Sequence, residues 1–384
     1  MTTKELTIGA TEQPSLWSLN LIGQTSLWQN MLLSINSGKF PHLSLLSGRP
    51  GNVQLPLALA LSQAILCDEI QKPCGICNSC KQVYKLIHPD VHFSFPLSKA
   101  KETCQEFYSK WRTAVQANPF MSISDWFSYF EEESKNANIP VSEVQNIISL
   151  LHLKPFASDR KVLIIWLPEY LGKESNRLLK LFEEPPEKTF IILVTENPDL
   201  LLSTVQSRAQ RFQLLAITYE EASDYINRMY SIPLAEAHSA VVSSEGNMHE
   251  ALAFINNKAT HQIEKLQQLL QSTYQYQANE MVNWVDHFSK LSREDQKYFL
   301  IWMQRILSFV LRLKYIHTDT SNQVTTELMQ YIKKLTVALS LEQIEKINIL
   351  LDDILMSIQR NANVKILMTD FCIQLAHITR AKLN

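Results

Sequence analysis

Glycine is scarce in this sequence, and neither sign of charge is in large excess. Only 8 of the 384 residues are glycine while 46% are hydrophobic, a composition that indicates a compact, helix-rich protein. The net charge of −2 argues against a strongly basic nucleic-acid-binding protein, although a local basic surface stays open. A chain of this length predicts two or three domains and a sizeable core.

Long apolar runs are also missing, which argues against two kinds of segment. No apolar stretch follows Lys4 and Glu5, so we expect no secretory signal peptide. Residues 13–38 carry no charge, but Ser, Asn and Gln are scattered among the apolar residues, so we expect no membrane span there. The resulting expectation is a cytoplasmic protein that does not bind membranes.

A phosphate-binding loop is incomplete in the stretch that begins at Gly48. Such a loop has the form G-x-x-x-x-G-K-[ST]; its backbone N–H groups and lysine bind phosphate, and its hydroxyl binds Mg²⁺. Gly48 and Gly51 are present, but Val53, Gln54 and Leu55 stand at the positions of the second glycine, the lysine and the hydroxyl residue. We therefore expect this loop to bind no ATP. Taken alone, an ordinary Gly-Pro turn before a helix is the simpler interpretation.

Cysteines are few, and four of the six are clustered in a way that favours a metal site over a disulfide framework. The clustered residues are Cys67, Cys74, Cys77 and Cys80. Four thiolates suit one tetrahedral Zn²⁺ in a structural site, which is our prediction, and an iron–sulfur cluster is the competing interpretation. His88 and His92 lie nearby and could substitute as ligands. We expect Cys104 and Cys372 to be reduced and partly buried.

The order of the predicted elements is that of an α/β nucleotide-binding domain followed by helices. Apolar runs predict buried strands at residues 43–46, 161–166 and 190–194. Helices are predicted at residues 25–37, 57–66, 173–184 and from about 260 to the end of the chain. Pro185-Pro186 should end the third helix, because proline cannot continue a helix. Ser142 and Gln145 have the spacing of a capping box, which predicts another helix beginning with Ser142 as its N-cap.

A second catalytic element is missing where the strand at residues 161–166 ends. In a working NTPase such a strand ends in acidic residues that hold Mg²⁺ and polarise water. Trp166 and Leu167 occupy those positions, followed by Pro168 and Glu169. We expect Glu169 to be a surface residue or a cap rather than a base.

Residues 94–138 are rich in aromatic side chains and contain the acidic run at residues 131–133. The simpler interpretation is one or two helices packed on the core, and we prefer it. The alternative is an insertion that binds a partner.

Six motifs, in their order along the chain, resemble the clamp-loader branch of the AAA+ proteins. They are Gly23-Gln24, the Gly48 loop, the cysteine cluster, residues 88–92 (HPDVH), residues 176–186 (NRLLKLFEEPP) and residues 202–208 (LSTVQSR). The resemblance implies an AAA+-type parallel sheet with helices over residues 1–212, including a zinc module at 67–80, and it says nothing about the insertion at about 94–138. It further implies a small helical lid at residues 213–260 and a helical collar for oligomerisation at residues 261–384.

The same resemblance implies a function without ATP binding by this chain itself. It suggests a stator-type subunit in a hetero-pentamer with gamma/tau and delta clamp-loader subunits, acting on a sliding clamp and primed DNA. By the resemblance Arg208 is an arginine finger that reaches ATP on a neighbouring subunit, and the alternative is a salt-bridged surface arginine. Ala209 replaces the family's cysteine, Thr195 matches a phosphate-sensing position, and residues 246–252 lack the arginine often found there. We expect no intrinsic ATPase activity.

Two other functions are weighed against this one. An ATPase with an atypical loop would need a cation in place of Gln54, and Arg49 lies on the wrong side of the loop for that. A zinc-dependent DNA-binding protein would lose DNA affinity steeply with salt, and the near-neutral charge argues against it.

Overall fold

The chain forms two compact units, which we call the sheet unit and the helical unit. The computed structural model describes residues 15–99, 101–130, 137–255, 259–291, 293–315, 327–360 and 362–380. Among these residues, the sheet unit comprises the described residues up to Ser231 together with Gly246–His249, and the helical unit comprises Ile232–Glu245 and the described residues from Glu250 onward. Within the described ranges, no helix is both long enough and apolar enough to cross a membrane.

A five-stranded parallel sheet forms the centre of the sheet unit. Its strands are β1 (Leu43–Ser47), β2 (Val91–Ser94), β3 (Lys161–Trp166), β4 (Thr189–Thr195) and β5 (Gln210–Gln213). They pair in the order β2-β3-β4-β1-β5, and each pair is parallel. Every residue of β1 and β3 is buried, because helices cover both faces of a sheet of this kind. The strands predicted at residues 43–46, 161–166 and 190–194 are confirmed.

Nine α-helices accompany the sheet in the described residues of this unit. They are α1 (Thr25–Asn36), α2 (Gln54–Leu66), α3 (Asn78–Tyr84), α4 (Tyr108–Ala117), α5 (Ile123–Phe127), α6 (Val141–His152), α7 (Leu179–Glu183), α8 (Ser203–Gln206) and α9 (Tyr219–Tyr230). Short 3-10 helices form at Trp17–Asn20, Cys104–Phe107, Pro168–Leu178 and Pro198–Leu200. All thirteen residues of α2 are buried, so this helix is central to the packing of the unit.

Two local predictions are wrong. Ser142 is not an N-cap, because α6 begins one residue earlier and the Ser142 hydroxyl donates a hydrogen bond to Glu102 O at 2.8 Å. The helix predicted at residues 173–184 is a 3-10 helix up to Leu178, and only α7 is α-helical. Gly172 has a φ of +50°, which interrupts the helical path before that segment. The helix does end before Pro185-Pro186, as predicted.

Side chains of the 94–138 segment satisfy the open edge of β2. The Tyr108 hydroxyl accepts a hydrogen bond from Phe93 N–H at 3.0 Å and donates one to Phe93 O at 3.1 Å. Cys104 Sγ does the same with the N–H and C=O of Phe95, both at 3.3 Å. The ring of Trp111 stacks on Phe95 with centroids 4.4 Å apart. The described part of this segment is therefore packed on the core, and it covers an edge that could otherwise pair with another chain.

After α9 the described residues form eight more α-helices, and those from Ala259 onward confirm the helices predicted from about residue 260. The eight helices are α10 (Leu234–Ser243), α11 (Met248–Ile255), α12 (Ala259–Tyr274), α13 (Ala278–Lys290), α14 (Arg293–Tyr315), α15 (Glu327–Ala338), α16 (Leu341–Gln359) and α17 (Val364–Arg380). An apolar stripe along α14 is buried and consists of Phe299, Trp302, Met303, Ile306 and Val310. The second stripe, on α17, is buried at Val364, Met368, Phe371, Cys372 and Leu375.

The predicted fold class is confirmed. A parallel sheet with flanking helices and a cysteine cluster is followed by a region whose described residues are mainly helical. The finer division into domains ending at residues 212 and 260 stays a prediction.

Candidate functional site

The four clustered cysteines meet between the end of α2 and the start of α3. Cys67 directly follows α2, Cys77 is the N-cap of α3 and Cys80 lies in its first turn. The four Sγ atoms lie within 4.8 Å of one another, and the Sγ atoms of Cys74 and Cys80 are 3.9 Å apart. Four sulfurs bound tetrahedrally to zinc at about 2.3 Å would be about 3.8 Å apart. The cluster could therefore hold a metal ion.

Backbone N–H groups donate to the sulfurs of this cluster. Cys77 N–H donates to Cys74 Sγ at 3.3 Å, and Cys80 N–H donates to Cys77 Sγ at 3.4 Å. Burial raises the pKa of the Cys77 and Cys80 thiols. Burial also raises the pKa of Cys74, but hydrogen bonds from backbone N–H groups outweigh it and bring that pKa down to about 7. Four thiolates this close together need a cation to offset their repulsion, which fits a metal site.

Gln63 of α2 supports the cysteine cluster, and the sequence reasoning missed it. Its Nε2 donates to Cys80 O at 2.9 Å, and its Oε1 accepts from Trp17 N–H at 2.8 Å. Gly75 has a φ of +72°, and a Cβ there would lie 2.9 Å from Leu16 Cγ, so a side chain would be strained. The signal for Gln63 in the sequence was a polar residue within a largely apolar helix.

The two histidines that could have substituted as ligands are not part of the cluster. The metal-ligating group found among the described residues contains the four cysteines alone. His88 Nδ1 instead accepts a hydrogen bond from Asp90 N–H at 3.1 Å. The Asp90 carboxylate is 2% exposed and accepts from the N–H groups of residues 156–158 at 2.5–2.8 Å. This motif therefore anchors the segment between α6 and β3.

Gln54 fills the loop between β1 and α2. Its Nε2 donates to Arg49 O at 3.0 Å, and a Cβ placed on Gly48 would lie 3.0 Å from the same nitrogen. Gln54 is only 4% exposed. The side chain that stands at the lysine position therefore turns back onto the backbone of the loop.

Asn247 closes against the same loop at Gly51. Gly51 has a φ of +71°, and a Cβ there would lie 1.8 Å from Asn247 Oδ1. The next residue, Met248, donates its N–H to Gly51 O at 3.1 Å. In the segment where the resemblance led us to look for an arginine, this chain places an amide and a backbone N–H against the loop.

Two amide side chains tie the loop and the Gly23-Gln24 motif to the backbone of Leu215. Asn52 Nδ2 and Gln24 Nε2 both donate to Leu215 O, at 2.8 and 2.9 Å. Gln24 Oε1 accepts from Leu215 N–H at 3.1 Å. The sequence identified Gly23-Gln24 as a motif but not this partner, and Asn52 was missed.

Glu169 and Thr195 meet at the carboxyl ends of β3 and β4. The Thr195 hydroxyl donates to Glu169 Oε2 at 2.9 Å, and Glu196 N–H lies 3.4 Å from Glu169 Oε1. Burial raises the pKa of the Glu169 carboxyl to about 7. Glu169 is half-buried rather than the surface residue that we expected. Thr195 does pack inside the unit, and its hydroxyl is bound to this carboxylate.

Arg208 lies just beyond α8 and is held by its own chain. Its Nε donates to Glu183 Oε1 at 2.5 Å, Nη2 contacts the same oxygen, and Nη1 donates to Thr204 O at 2.7 Å. The side chain is 33% exposed. The salt bridge matches the alternative interpretation of Arg208, and the partial exposure leaves the guanidinium accessible, so the role as an arginine finger stays a prediction.

The Gly48 loop lies at the carboxyl ends of the parallel strands, and Arg208 lies at their amino ends. β1 and β5 are parallel, with Ser44 beside Gln210 at their amino-terminal ends. Gly48 follows the carboxyl end of β1, whereas Arg208 precedes the amino end of β5. The three residue steps along these strands span about 10 Å. The backbone of Arg208 therefore lies at the other end of these strands from the loop of its own chain.

Comparison with known proteins gives a consistent result. A family model described as DNA polymerase III, delta subunit matches residues 23–218, which is just over half of the chain. A DNA polymerase III subunit delta' of Yersinia pestis is 30% identical over 178 residues, covering 45% of this chain and 41% of that relative. A DNA polymerase III subunit delta' of Escherichia coli (strain K12) is 23% identical over 361 residues, covering 91% of this chain and 93% of that relative.

A solved structure also aligns. It is a DNA polymerase III gamma subunit-related protein of Thermotoga maritima, which is 16% identical and has a TM-score of 0.36, covering 91% of this chain and 100% of that chain. At this TM-score the structural alignment adds nothing to the sequence match. The match of the family model over residues 23–218 is what decides, and this chain belongs to the family described as DNA polymerase III, delta subunit.

Proposed function

We propose that this chain is the delta-prime, or stator, subunit of a bacterial DNA polymerase III clamp loader and that it binds no ATP itself. It assembles with gamma/tau and delta subunits into a hetero-pentamer that loads a sliding clamp onto primed DNA in the cytoplasm. The delta' relative of Escherichia coli, aligned over 91% of this chain, supports the role. The helices after residue 260 supply the collar of the assembly, and residues 213–260 the lid.

The observation that carries the proposal is the position of Gln54. A loop of this kind binds phosphate through its backbone N–H groups, a lysine and a hydroxyl that holds Mg²⁺. The Gln54 amide is neutral and lies over Gly48, bound to Arg49 O. Leu55 offers no hydroxyl, and Asn247 lies against Gly51. The loop therefore keeps its place in the fold without the groups that bind ATP.

Arg208 acts on ATP held by a neighbouring subunit. A guanidinium beside the transferring phosphoryl group stabilises its charge and contributes about 10³–10⁵ in rate. Since Arg208 lies at the amino ends of the strands and the Gly48 loop at their carboxyl ends, the phosphate that Arg208 stabilises belongs to another chain.

Zinc is the ion that we propose for the cysteine cluster. Thiolate ligands favour Zn²⁺ over harder ions such as Mg²⁺, and four thiolates complete its shell without an open position for catalysis. The ion would join the end of α2 to the start of α3 through Cys67, Cys77 and Cys80, as a structural site.

The first experiment measures ATP turnover of the reconstituted clamp loader with clamp and primed DNA, comparing wild type with Arg208→Ala. We expect turnover to fall, by less than the full contribution of one finger where other sites of the assembly still hydrolyse ATP. Arg211→Ala is the matched control, since Arg211 is exposed and its Nη2 donates to Gln206 Oε1 at 2.8 Å. Size-exclusion chromatography checks that each assembly is intact.

Three outcomes would contradict parts of the proposal. Unchanged turnover with Arg208→Ala would make Arg208 a structural residue of a rigid stator. Mg²⁺-dependent ATP hydrolysis by the isolated chain would favour the ATPase with an atypical loop. DNA binding by the isolated chain that depends on zinc and weakens steeply with salt would favour the DNA-binding alternative.

A further inference from the structure

The guanidinium of Arg208 has a defined set of occupied and available donors. An arginine carries five N–H groups in one plane. The Nε–H and one N–H of Nη2 face Glu183 Oε1, and one N–H of Nη1 donates to Thr204 O. One N–H on each terminal nitrogen is left over by these contacts. Two such N–H groups match the geometry of two phosphate oxygens.

We propose that Glu183 is the positioning residue of Arg208: its carboxylate fixes the guanidinium so that the two remaining N–H groups face the γ-phosphate of a neighbouring subunit. This inference rests on the proposed function, because it assumes that Arg208 acts in trans. It adds a residue that orients the finger without touching the phosphate.

The carboxylate is placed by a well-anchored helix. Glu183 is the last residue of α7, and the preceding Phe182 is fully buried in the core. The Phe182 carbonyl lies 3.1 Å from His42 Nε2. Pro185-Pro186 prevents the helix from continuing, so Glu183 stays at its end. The position of Glu183 is therefore fixed from the core outward.

The segment that carries Arg208 is anchored to the same core. Val205 of α8 is buried in the hydrophobic cluster that also contains Phe182. Gln206 Nε2 donates to the carbonyls of Pro198 and Leu201, at 2.8 and 2.9 Å. Both partners of the Arg208–Glu183 pair thus start from fixed backbone, and the ion pair limits the rotamers that the arginine side chain adopts.

Fixing this side chain in advance matters for the rate because misplacing a reacting or stabilising group by about 1 Å can lower a rate by about 10²-fold. Removing the carboxylate leaves Arg208 charged but free to sample other rotamers. The fraction of time in which it faces the phosphate then falls, while the affinity of the neighbour for ATP stays the same.

The test is steady-state ATP turnover of the reconstituted clamp loader carrying Glu183→Gln, Glu183→Ala, Arg208→Ala or the Glu183→Ala/Arg208→Ala pair. We expect Glu183→Ala to lower kcat by about fivefold with the KM for ATP unchanged, and Glu183→Gln to lower it less. The double variant should be no slower than Arg208→Ala, because Glu183 acts only through Arg208. Glu184→Gln, next to Glu183 and exposed, is the matched control and should behave as wild type.

The outcomes separate this inference from the proposed function. If Arg208→Ala slows turnover while both Glu183 variants match Glu184→Gln, the positioning role is overturned and the arginine finger stands. If the effects of Glu183→Ala and Arg208→Ala multiply in the double variant, Glu183 acts by another route and the inference is also overturned. If Arg208→Ala itself has no effect, the trans role fails and the inference falls with it. Should Glu183→Ala not assemble, the isosteric Glu183→Gln decides.

Discussion

Among single polar residues, Asp90 is one whose substitution should be strongly destabilising. Its carboxylate is 2% exposed and accepts three backbone N–H groups from residues 156–158. Asp90→Asn removes the negative charge and turns an NH₂ group toward these donors. We expect the free energy of unfolding, measured by urea denaturation, to fall by about 3 kcal/mol.

The control for this substitution is Asp159→Asn. Asp159 lies on the segment between α6 and β3 that Asp90 binds. Its side chain is 50% exposed, and its partners Lys188 and Arg160 are also at the surface. Exposed ion pairs of this kind contribute about 0–1 kcal/mol. Equal losses for the two variants would show that the buried carboxylate has no special role.

Glu169 predicts a specific dependence of stability on pH. Burial raises the pKa of its carboxyl from 4.5 to about 7, so between these values the folded chain keeps a proton that the unfolded chain has lost. The contribution of Glu169 to stability therefore falls as pH rises through this window. Glu169→Gln removes this dependence, and we expect the variant to gain on the order of 1–2 kcal/mol over wild type between pH 5 and pH 8.

Urea denaturation at several pH values between 5 and 8 measures this difference for Glu169→Gln. Glu187→Gln, at an exposed position, is the control and should track wild type at every pH. Parallel stability curves for wild type and Glu169→Gln would mean that the carboxyl is ionised over the whole range.

The sequence could predict some of these residues but not others, for a physical reason. The cysteines are recognisable because they lie close together along the chain, and their spacing indicates the site. Gln24 bonds to Leu215, 191 residues away, and Asp90 to amides at least 66 residues away. Which backbone group lies beside such a side chain is set by the tertiary path, and no local pattern records it.

At the scale of elements, the cysteine cluster joins two helices that are adjacent in sequence. α3 has only seven residues, and an isolated helix of this length is not stable in water. If a metal ion fixes its start, removing a ligand should release both the ion and the helix. Cys80→Ser should therefore lose the bound zinc that we expect at one ion per wild-type chain, as measured by elemental analysis of the purified protein.

Cys372→Ser is the control, because Cys372 is buried in α17 and lies outside the cluster. It should keep one zinc per chain. The Tm of wild type and of Cys372→Ser should fall with a chelator, whereas the Tm of Cys80→Ser should not respond. A wild-type chain that contains no zinc but does contain iron would favour the iron–sulfur alternative.

The cover of β2 gives a second prediction at this scale. The Tyr108 hydroxyl bonds both the N–H and the C=O of Phe93 on the open edge of the strand. Tyr108→Phe leaves both groups without this partner, so we expect faster hydrogen exchange of the Phe93 amide and a loss of about 1–2 kcal/mol in stability.

Tyr274→Phe is the control for that measurement, since Tyr274 is 64% exposed. Its effect on exchange in β2 should be nil. Unchanged exchange at Phe93 in Tyr108→Phe would mean that the edge is protected by the packing of the aromatic rings alone.

Element types were predictable where a strong periodicity or an apolar run decides them. The runs of β1, β3 and β4 and the stripe on α14 belong to this class. The start of α6 and the 3-10 helix before α7 were not predictable in the same way. There the outcome depends on a contact between Ser142 and a distant carbonyl and on the conformation of Gly172, which compete with local propensity.

At the scale of the whole molecule, the segments that the sequence likens to a nucleotide site are held by contacts within this chain. These segments are the Gly48 loop, the carboxyl ends of β3 and β4, and the segment at Asn247, all within the sheet unit. Gln54 binds Arg49 O, Thr195 binds Glu169, and Met248 binds Gly51 O. The donors of Gln54, Thr195 and Met248 are thus used for bonds within the chain, which supports the proposal of a subunit that binds no ATP.

The residues that a complete phosphate-binding site would need are missing from several elements. Gln54→Lys restores the cation of the loop, but Leu55 still provides no hydroxyl for Mg²⁺, and Trp166 and Leu167 still provide no carboxylate. We therefore expect the isolated Gln54→Lys chain to bind MgATP no more tightly than about 1 mM by calorimetry.

The comparison variant carries Val53→Gly, Gln54→Lys and Leu55→Thr together, which restores the complete loop. Because phosphate binding needs the glycine, the cation and the hydroxyl at once, its affinity for MgATP should exceed that of Gln54→Lys. Micromolar binding by Gln54→Lys alone would mean that the lysine was the only missing element. The chain would then be one substitution away from an active site. The contact of Gln54 with Arg49 O would then have no role in preventing ATP binding.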